Sequence, residues 1–161
     1  MRKQKGFSLI ELLIVVAIIL IIAAIAIPNL LRSRMAANEA SAVGSLRTIN
    51  TSNVTYASTY GVGFAGTLAM LGDGGACPTP PTAATACLLD NVLASGQKSG
   101  YKFTYKAAAG TATAPNNTYT VNGDPVAAGS SGQSAFFTDE SGVIRKDPSG
   151  TAATATSPAL Q

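Results

Sequence analysis

The stretch GFSLIELLIVVAIILIIAAIAIPNLL, residues 6–31, decides the fold of this chain. Leu12 to Ile27 is an unbroken run of 16 apolar residues, which corresponds to about 24 Å of helix at about 1.5 Å per residue. With Phe7, Leu9 and Ile10 added, the helix nearly crosses a hydrocarbon core of about 30 Å. The run therefore predicts an apolar helix that is able to anchor the chain in a membrane.

Three basic residues, Arg2, Lys3 and Lys5, precede the apolar run. Positive charge stays on the cytoplasmic side, so the remainder of the chain is expected outside. The 161 residues suffice for one ordinary domain, and the formal charge is +3. Without the three leading cations, eight basic and eight acidic residues balance. The charge therefore gives no support to nucleic-acid binding.

A basic end followed by an apolar core is also typical of a secretory signal peptide or a plain membrane anchor. A signal peptide has a shorter core and a cleavage site flanked by small residues. Here Pro28 and Asn29 follow the run directly, and the helical pattern continues beyond them. These features favour a helix that is retained rather than a signal that is removed whole.

Glu11 is the one charged residue between Leu9 and Ile27. A carboxylate at the centre of a membrane helix costs roughly 2.5–3.5 kcal/mol, and less near the helix end. The carboxylate either reaches the interface by snorkelling or pairs with a cation from another molecule. A free α-amino group, with a pKa near 8, is largely charged at pH 7 and is a suitable cation.

The opening segment resembles the class III signal of type IV pilins and type II secretion pseudopilins. The resemblance rests on a short basic leader that ends in Gly6, followed by Phe7, Ser8 and Glu11. It implies that a membrane prepilin peptidase cuts after Gly6 and that the mature chain begins at N-methylated Phe7. It also implies that the Phe7 amine of one copy lies beside Glu11 of the next, and that Pro28 occupies the family's usual proline position.

Beyond Pro28 the pattern predicts that the helix continues to residue 60. Small and apolar residues recur near helical spacing in this second half, namely Leu31, Met35, Val43, Leu46, Ile49, Val54 and Ala57. The first half is apolar on all sides, whereas the second half is amphipathic and needs a partner surface. Pro28 removes one backbone hydrogen bond and is expected to kink or loosen the helix.

Residues 61–98 are predicted as a loop region because glycine and proline clusters interrupt it. Both cysteines of the chain, Cys77 and Cys87, lie in this region. Export of the chain favours a disulfide between them. Two cysteines without any histidine provide too few ligands for a zinc site, so no metal site is predicted.

The remainder of the chain predicts an antiparallel sheet over residues 99–147. Alternating aromatic and polar residues predict strands at 101–106, 118–121, 134–138 and 143–145. The last two strands flank a turn at 139–142, and FFTDESGVIR resembles the final hairpin of many pilins and pseudopilins. A tail at 148–161, rich in Ser, Thr, Ala and Pro, is predicted to be mobile or bound at an edge.

The predicted fold class is therefore α+β, with a long N-terminal helix packed on a small antiparallel sheet. The predicted segments are the cleaved leader, the helix, the loop region, the sheet and the flexible tail, over 1–6, 7–60, 61–98, 99–147 and 148–161 respectively.

The function predicted through the resemblance is that of a structural subunit of a bacterial type IV pilus, with adhesion, twitching motility and DNA uptake as its uses. The partners implied are further copies of the chain, the prepilin peptidase and an inner-membrane assembly platform. The chain is expected in the inner membrane before assembly and at the cell surface afterwards. A type II secretion pseudopilin and a membrane-anchored binding protein that does not polymerise are the alternatives.

Catalytic chemistry finds no support in the sequence. The absence of histidine excludes Ser-His-Asp and Cys-His arrangements. Neither a Walker loop nor a dinucleotide-binding glycine motif is present. We predict no catalytic residue, no cofactor and no small-molecule substrate.

Overall fold

The N-terminal helix, α1, extends from Leu9 to Tyr60 in a computed structural model that describes residues 7–108 and 110–160. Its span includes Pro28. The elements that follow are α2 (Leu68–Leu71), α3 (Asn91–Ala94), β1 (Gln97–Lys98), β2 (Tyr101–Ala107), β3 (Tyr119–Pro125), β4 (Ala135–Asp139) and β5 (Arg145–Asp147). The α+β fold, a long helix with an antiparallel sheet, is confirmed.

The chain divides into two units between Arg34 and Met35. In the first unit, every Leu, Ile and Val side chain from Leu9 to Leu31 exposes 47–80% of its surface. Within the described residues, α1 is the helix that is long and apolar enough to cross a membrane. A surface of this extent is not stable in water, so it requires lipid or protein around it.

The second unit contains a five-stranded sheet in the order β1-β2-β3-β4-β5, and every neighbouring pair is antiparallel. The longest ladder joins β2 to β3, from Tyr101 opposite Pro125 to Ala107 opposite Tyr119. Successive strands that pair with their sequence neighbours form a simple meander, and the alternation of side chains gives the sheet a buried face toward α1.

The core of the second unit lies between the C-terminal half of α1 and this buried face. The helix contributes residues at helical spacing, so one stripe faces the sheet. The fully or almost fully buried core side chains from α1 and the sheet are Ala42, Leu46, Ile49, Tyr56, Tyr101, Phe103, Tyr119, Val121 and Phe136. The prediction that the amphipathic half of the helix covers the aromatic strands is confirmed.

Strand β3 is longer than the sequence predicts, because it continues beyond Val121 to Pro125. Asn, Gly, Asp and Pro are poor strand formers, but full pairing with β2 overrides that preference. Gly123 also has a packing role, since a Cβ there would lie 3.3 Å from the ring of Phe103.

The predicted strand at 143–145 is wrong by two residues, because β5 begins at Arg145. The turn closes through a hydrogen bond of 2.9 Å from Gly142 N to the Asp139 carbonyl. Ile144 is turned into the core, and its carbonyl accepts a hydrogen bond from Leu160 N at 2.7 Å. Ile144 therefore packs in the core and bonds to the tail instead of belonging to the strand, although alternation assigns it to the strand.

The region between α1 and the sheet contains two single-turn helices that the glycine and proline pattern does not predict. They bury Leu68, Leu71 and Leu93. Asp90 caps α3, since its side chain accepts a hydrogen bond of 2.9 Å from Leu93 N.

Residues 158–160 lie along the edge of the sheet beside β5. Lys146 N donates to the Pro158 carbonyl at 2.9 Å, and Arg145 pairs with Ala159 in an antiparallel bridge. This pairing covers part of a strand edge that would otherwise present free backbone groups.

The tail also crosses the face of the sheet that is turned away from α1. Ala153 is buried there in a small cluster with Ala135 and Phe137. Its carbonyl accepts a hydrogen bond of 2.8 Å from Asn122 Nδ2. The tail thereby shields Phe137, which alternation places on the opposite side of β4 from Phe136.

Candidate functional site

The start of α1 carries the residues that the sequence assigns to processing. Gly6, after which cleavage is predicted, lies outside the described residues. Phe7 precedes the helix and exposes 84% of its surface. An amine released at Phe7 would therefore be accessible to solvent or to another molecule.

Glu11 lies in the first turn of α1, and its Oε2 accepts a hydrogen bond of 2.8 Å from the backbone amide of Ser8. This is the glutamate half of a capping box, in which the third helical residue satisfies the amide of the N-cap. A carboxylate in the first turn also interacts favourably with the helix dipole. Sequence reasoning missed this role, although a serine followed three residues later by a glutamate, Ser8 and Glu11, ahead of an apolar run is the signal for it.

The cap leaves part of the Glu11 carboxylate free. Oε1 accepts no hydrogen bond from the described residues. A carboxylate has acceptor sites on both oxygens, so the cap and a second donor are compatible. Glu11 can therefore cap its own helix through Oε2 and accept a donor from another molecule through Oε1.

Glu39 joins α1 to the sheet within the second unit, and sequence reasoning did not identify it. Its Oε1 accepts hydrogen bonds from the backbone amides of Gln133 at 2.9 Å and Ser134 at 3.0 Å. Lys146 Nζ lies 3.4 Å from Oε2. Partial burial raises the pKa of Glu39, but the two amides and Lys146 outweigh it, so the pKa lies below its ordinary value.

A second polar connection between α1 and the sheet is centred on Asn53, which is fully buried. Asn53 Oδ1 lies 2.9 Å from the hydroxyl of Tyr105 and accepts a hydrogen bond of 3.3 Å from Ala65 N. Burial raises the pKa of Tyr105, so its hydroxyl stays protonated. Because buried polar groups are costly when unpaired, this network fixes the position of the helix on the sheet.

The predicted disulfide between Cys77 and Cys87 is confirmed, with 5.8 Å between the two Cα atoms. It closes a short loop with a sequence separation of 10. In the chain-entropy account such a bridge stabilises the fold by about 2–3 kcal/mol. The bond restrains the segment that connects α2 to α3.

A groove of about 360 Å³ lies on the second unit beside the turn between β4 and β5. The residues that line it are Asn50, Thr51, Val54, Thr55, Tyr119, Glu140, Ser141 and Gly142. Glu140 is exposed and makes no hydrogen bond or salt bridge to any described residue. Burial, together with the nearby charges of Asp139 and Glu140, raises the pKa of Tyr119 to about 12.

Comparisons with known proteins agree with the features of the N-terminal segment. The family described as the prokaryotic N-terminal methylation motif matches residues 1–27. The chain is 67% identical over 39 residues to the type IV wide pilus major component PilA4 of Thermus thermophilus. It is 43% identical over 56 residues to the type IV major pilin protein PilA of Myxococcus xanthus. No solved structure matches the chain.

These matches are local. They cover 24% and 35% of this chain, and 30% and 26% of PilA4 and PilA respectively. They confirm the resemblance to the type IV pilin family and its class III signal. Both relatives are described as major pilus components, which agrees with the prediction that this chain is not an enzyme.

Proposed function

We propose that this chain is a structural subunit of a type IV pilus, cut after Gly6 and assembled into an extracellular helical filament through α1. The observation that carries the proposal is the exposed apolar first half of α1 with one carboxylate, Glu11, in its first turn. The methylation motif over residues 1–27 supports the processing step.

The apolar segment has two suitable environments. Lipid surrounds it in the inner membrane before assembly, and the helices of neighbouring copies surround it in the filament. Lipid tails are as apolar as the side chains, so packing and polar contacts drive the transfer rather than exclusion of water. Repeated head-to-tail contacts that do not close produce an open filament.

Glu11 supplies the polar contact in this assembly. Cleavage by the prepilin peptidase frees the amine of Phe7, which is methylated and remains able to carry a positive charge. The amine of one copy pairs with the Glu11 carboxylate of its neighbour, whose Oε1 is available while Ser8 holds Oε2. An ion pair in an apolar bundle favours one register over the others. Pro28, which lacks a backbone N–H, adds a point at which α1 adjusts during assembly.

The test is the identity of the exported chain. Surface filaments sheared from cells should contain this chain, and N-terminal sequencing with mass spectrometry should find methylated Phe7 as its first residue. Filaments whose subunits retain Met1 would contradict the proposal. An exported chain that is processed at Phe7 but never enters filaments would instead indicate a membrane-anchored binding protein.

Deletion of the gene separates the pilus from the pseudopilus. Loss of surface filaments, with loss of adhesion, twitching motility or DNA uptake, supports a pilus subunit that acts with an inner-membrane assembly platform. Loss of protein secretion with filaments intact would indicate a type II secretion pseudopilin. The relatives described as major pilus components favour the first outcome.

A further inference from the structure

Two arginines, Arg32 and Arg34, follow the apolar segment of α1 and are exposed. Neither forms a salt bridge within the described residues. The residues three and four positions away on the helix include no carboxylate. The nearest acidic residue along the chain, Glu39, is already held by Lys146 and two backbone amides.

Assembly changes the environment of these arginines. Packing of α1 between copies removes water from the helix surface. A guanidinium that loses water without gaining a carboxylate is strongly disfavoured. Arg32 and Arg34 therefore need an acidic partner, and a neighbouring copy is the available source.

Glu140 has the properties of that partner. It is exposed on the rim of the groove and makes no hydrogen bond or salt bridge to the described residues. The adjacent Asp139 is engaged by the Ser141 amide at 3.0 Å. Arg47, one turn before Thr51 on α1, is exposed as well but forms no salt bridge with Glu140. The groove therefore presents an unneutralised negative charge next to exposed residues of α1.

We propose that Glu140 of one copy forms an ion pair with Arg32 or Arg34 of a second copy, whose helix lies against the groove. This inference rests on the proposed pilus function.

The geometry of the helix limits which arginine forms the pair. The two arginines lie about 200° apart around the helix, so each faces a different neighbour and only one meets a given groove. Thr51 and Thr55, which line the groove, lie 17–23 residues beyond the arginines. The two copies are therefore offset by roughly 25–35 Å at about 1.5 Å per residue.

The experiment measures how much full-length chain enters sheared filaments, relative to the mature chain in the membrane. Glu140→Arg should reduce incorporation about tenfold or more, because removing one partner of a desolvated charge pair is costly. Ala112→Arg is the control for an added positive charge, since Ala112 is exposed and lies outside the groove. It should assemble like the wild type. Glu140→Gln tests the loss of charge without reversal and should give an intermediate decrease.

Reversing the charge of each arginine identifies which one pairs with Glu140. Arg32→Glu and Arg34→Glu should each be tested alone and together with Glu140→Arg. We expect one of the double variants to recover incorporation to within about threefold of wild type, while Lys106→Glu combined with Glu140→Arg does not. Failure of both arginine double variants, or wild-type incorporation of Glu140→Arg, would overturn the ion pair.

The same experiment separates this inference from the proposed function. If wild-type chain forms filaments that begin at Phe7 and Glu140→Arg assembles normally, the pilus function stands and the ion pair is wrong. If the wild-type chain is absent from filaments, both are wrong.

Discussion

The Oε2 atom of Glu11 accepts a hydrogen bond of 2.8 Å from the backbone amide of Ser8, so the acidic residue of the apolar helix has a partner in its own chain. Stabilisation of the helix start and pairing between copies therefore act through the same carboxylate. The two contributions are separable, because a capping box accepts Gln in place of Glu, whereas an ion pair requires the charge.

Glu11→Gln should keep the helix start but lose most filament assembly. The amide oxygen of Gln still accepts from Ser8, whereas it carries no charge for the neighbour's amine. Glu11→Ala should lose both and assemble no better than Glu11→Gln. Electron microscopy and the amount of sheared protein measure assembly. Normal filaments from Glu11→Gln would show that the cap, rather than the charge, is the role of Glu11.

Glu39→Ala should lower the free energy of unfolding by about 1–3 kcal/mol, because the amides of buried Ser134 and exposed Gln133 both lose their acceptor. Lys146→Met is the control, since it removes the charge that pairs with Glu39 and lies over the Phe136 ring, but leaves both amides bound and retains the packing of the stem. It should cost about 0–1 kcal/mol. Denaturant unfolding of the full chain in detergent measures both values. Equal costs for the two variants would contradict the role assigned to the amides.

The contribution of Glu39 should depend on pH. Its pKa is lowered in the folded state, so the unfolded chain binds a proton more readily at low pH. The stabilisation is therefore complete above the unfolded pKa, near 4.5, and decreases as pH falls through the lower folded pKa. The difference in unfolding free energy between wild type and Glu39→Gln should shrink between pH 6 and about pH 3. A difference that grows on acidification would reverse the assigned sign.

Gly132→Ala should destabilise the second unit by about 1–3 kcal/mol or more through overpacking. A Cβ at this position would overlap the hydroxyl of Tyr101, which donates a hydrogen bond of 2.8 Å to the Ser134 carbonyl. Gly44→Ala is the matched control, because that glycine is helical and no atom lies within 4 Å of its added Cβ. It should stabilise the monomer by about 0.5–1 kcal/mol. Thermal unfolding of both variants in detergent measures the contrast.

Ala153→Asp should destabilise the fold by roughly 3–5 kcal/mol, because it places an unpaired charge beside Phe137. Its neighbour Ala152 is exposed, so Ala152→Asp should stay within about 0.5 kcal/mol of wild type. Protease digestion of the full chain provides a second measurement, since release of the tail exposes new sites. Indistinguishable behaviour of the two variants would mean that the tail does not pack on the sheet in solution.

Several features follow from residue pattern alone. The helix from Leu9 to Tyr60 is predictable because apolar residues repeat along it, with Pro28 and Gly44 as its one proline and one glycine. Strand β2 is predictable because Tyr101, Phe103 and Tyr105 alternate with polar residues. The Cys77–Cys87 bond is predictable because export favours oxidation and the chain contains two cysteines.

Other features depend on partners distant in sequence. Strand β3 continues through Gly123 because β2 supplies a complete set of backbone partners, which local propensity does not encode. Strand β5 begins at Arg145 because Ile144 enters the core and bonds to the tail. Glu39 looks like an ordinary surface residue in sequence, since the amides that it binds are more than 90 residues away.

The sequence by itself determined the apolar helix, its acidic residue near one end, and the need for lipid or other copies around it. These properties depend on hydrophobicity and helical period, which neighbouring residues set. Only the tertiary structure decided that Glu39 binds the two amides just before β4, that the tail shields Phe137, and that Glu140 lies beside α1 without a partner among the described residues. Each of these depends on hydrogen bonds and packing contacts between residues that are distant in sequence, which residue pattern does not encode.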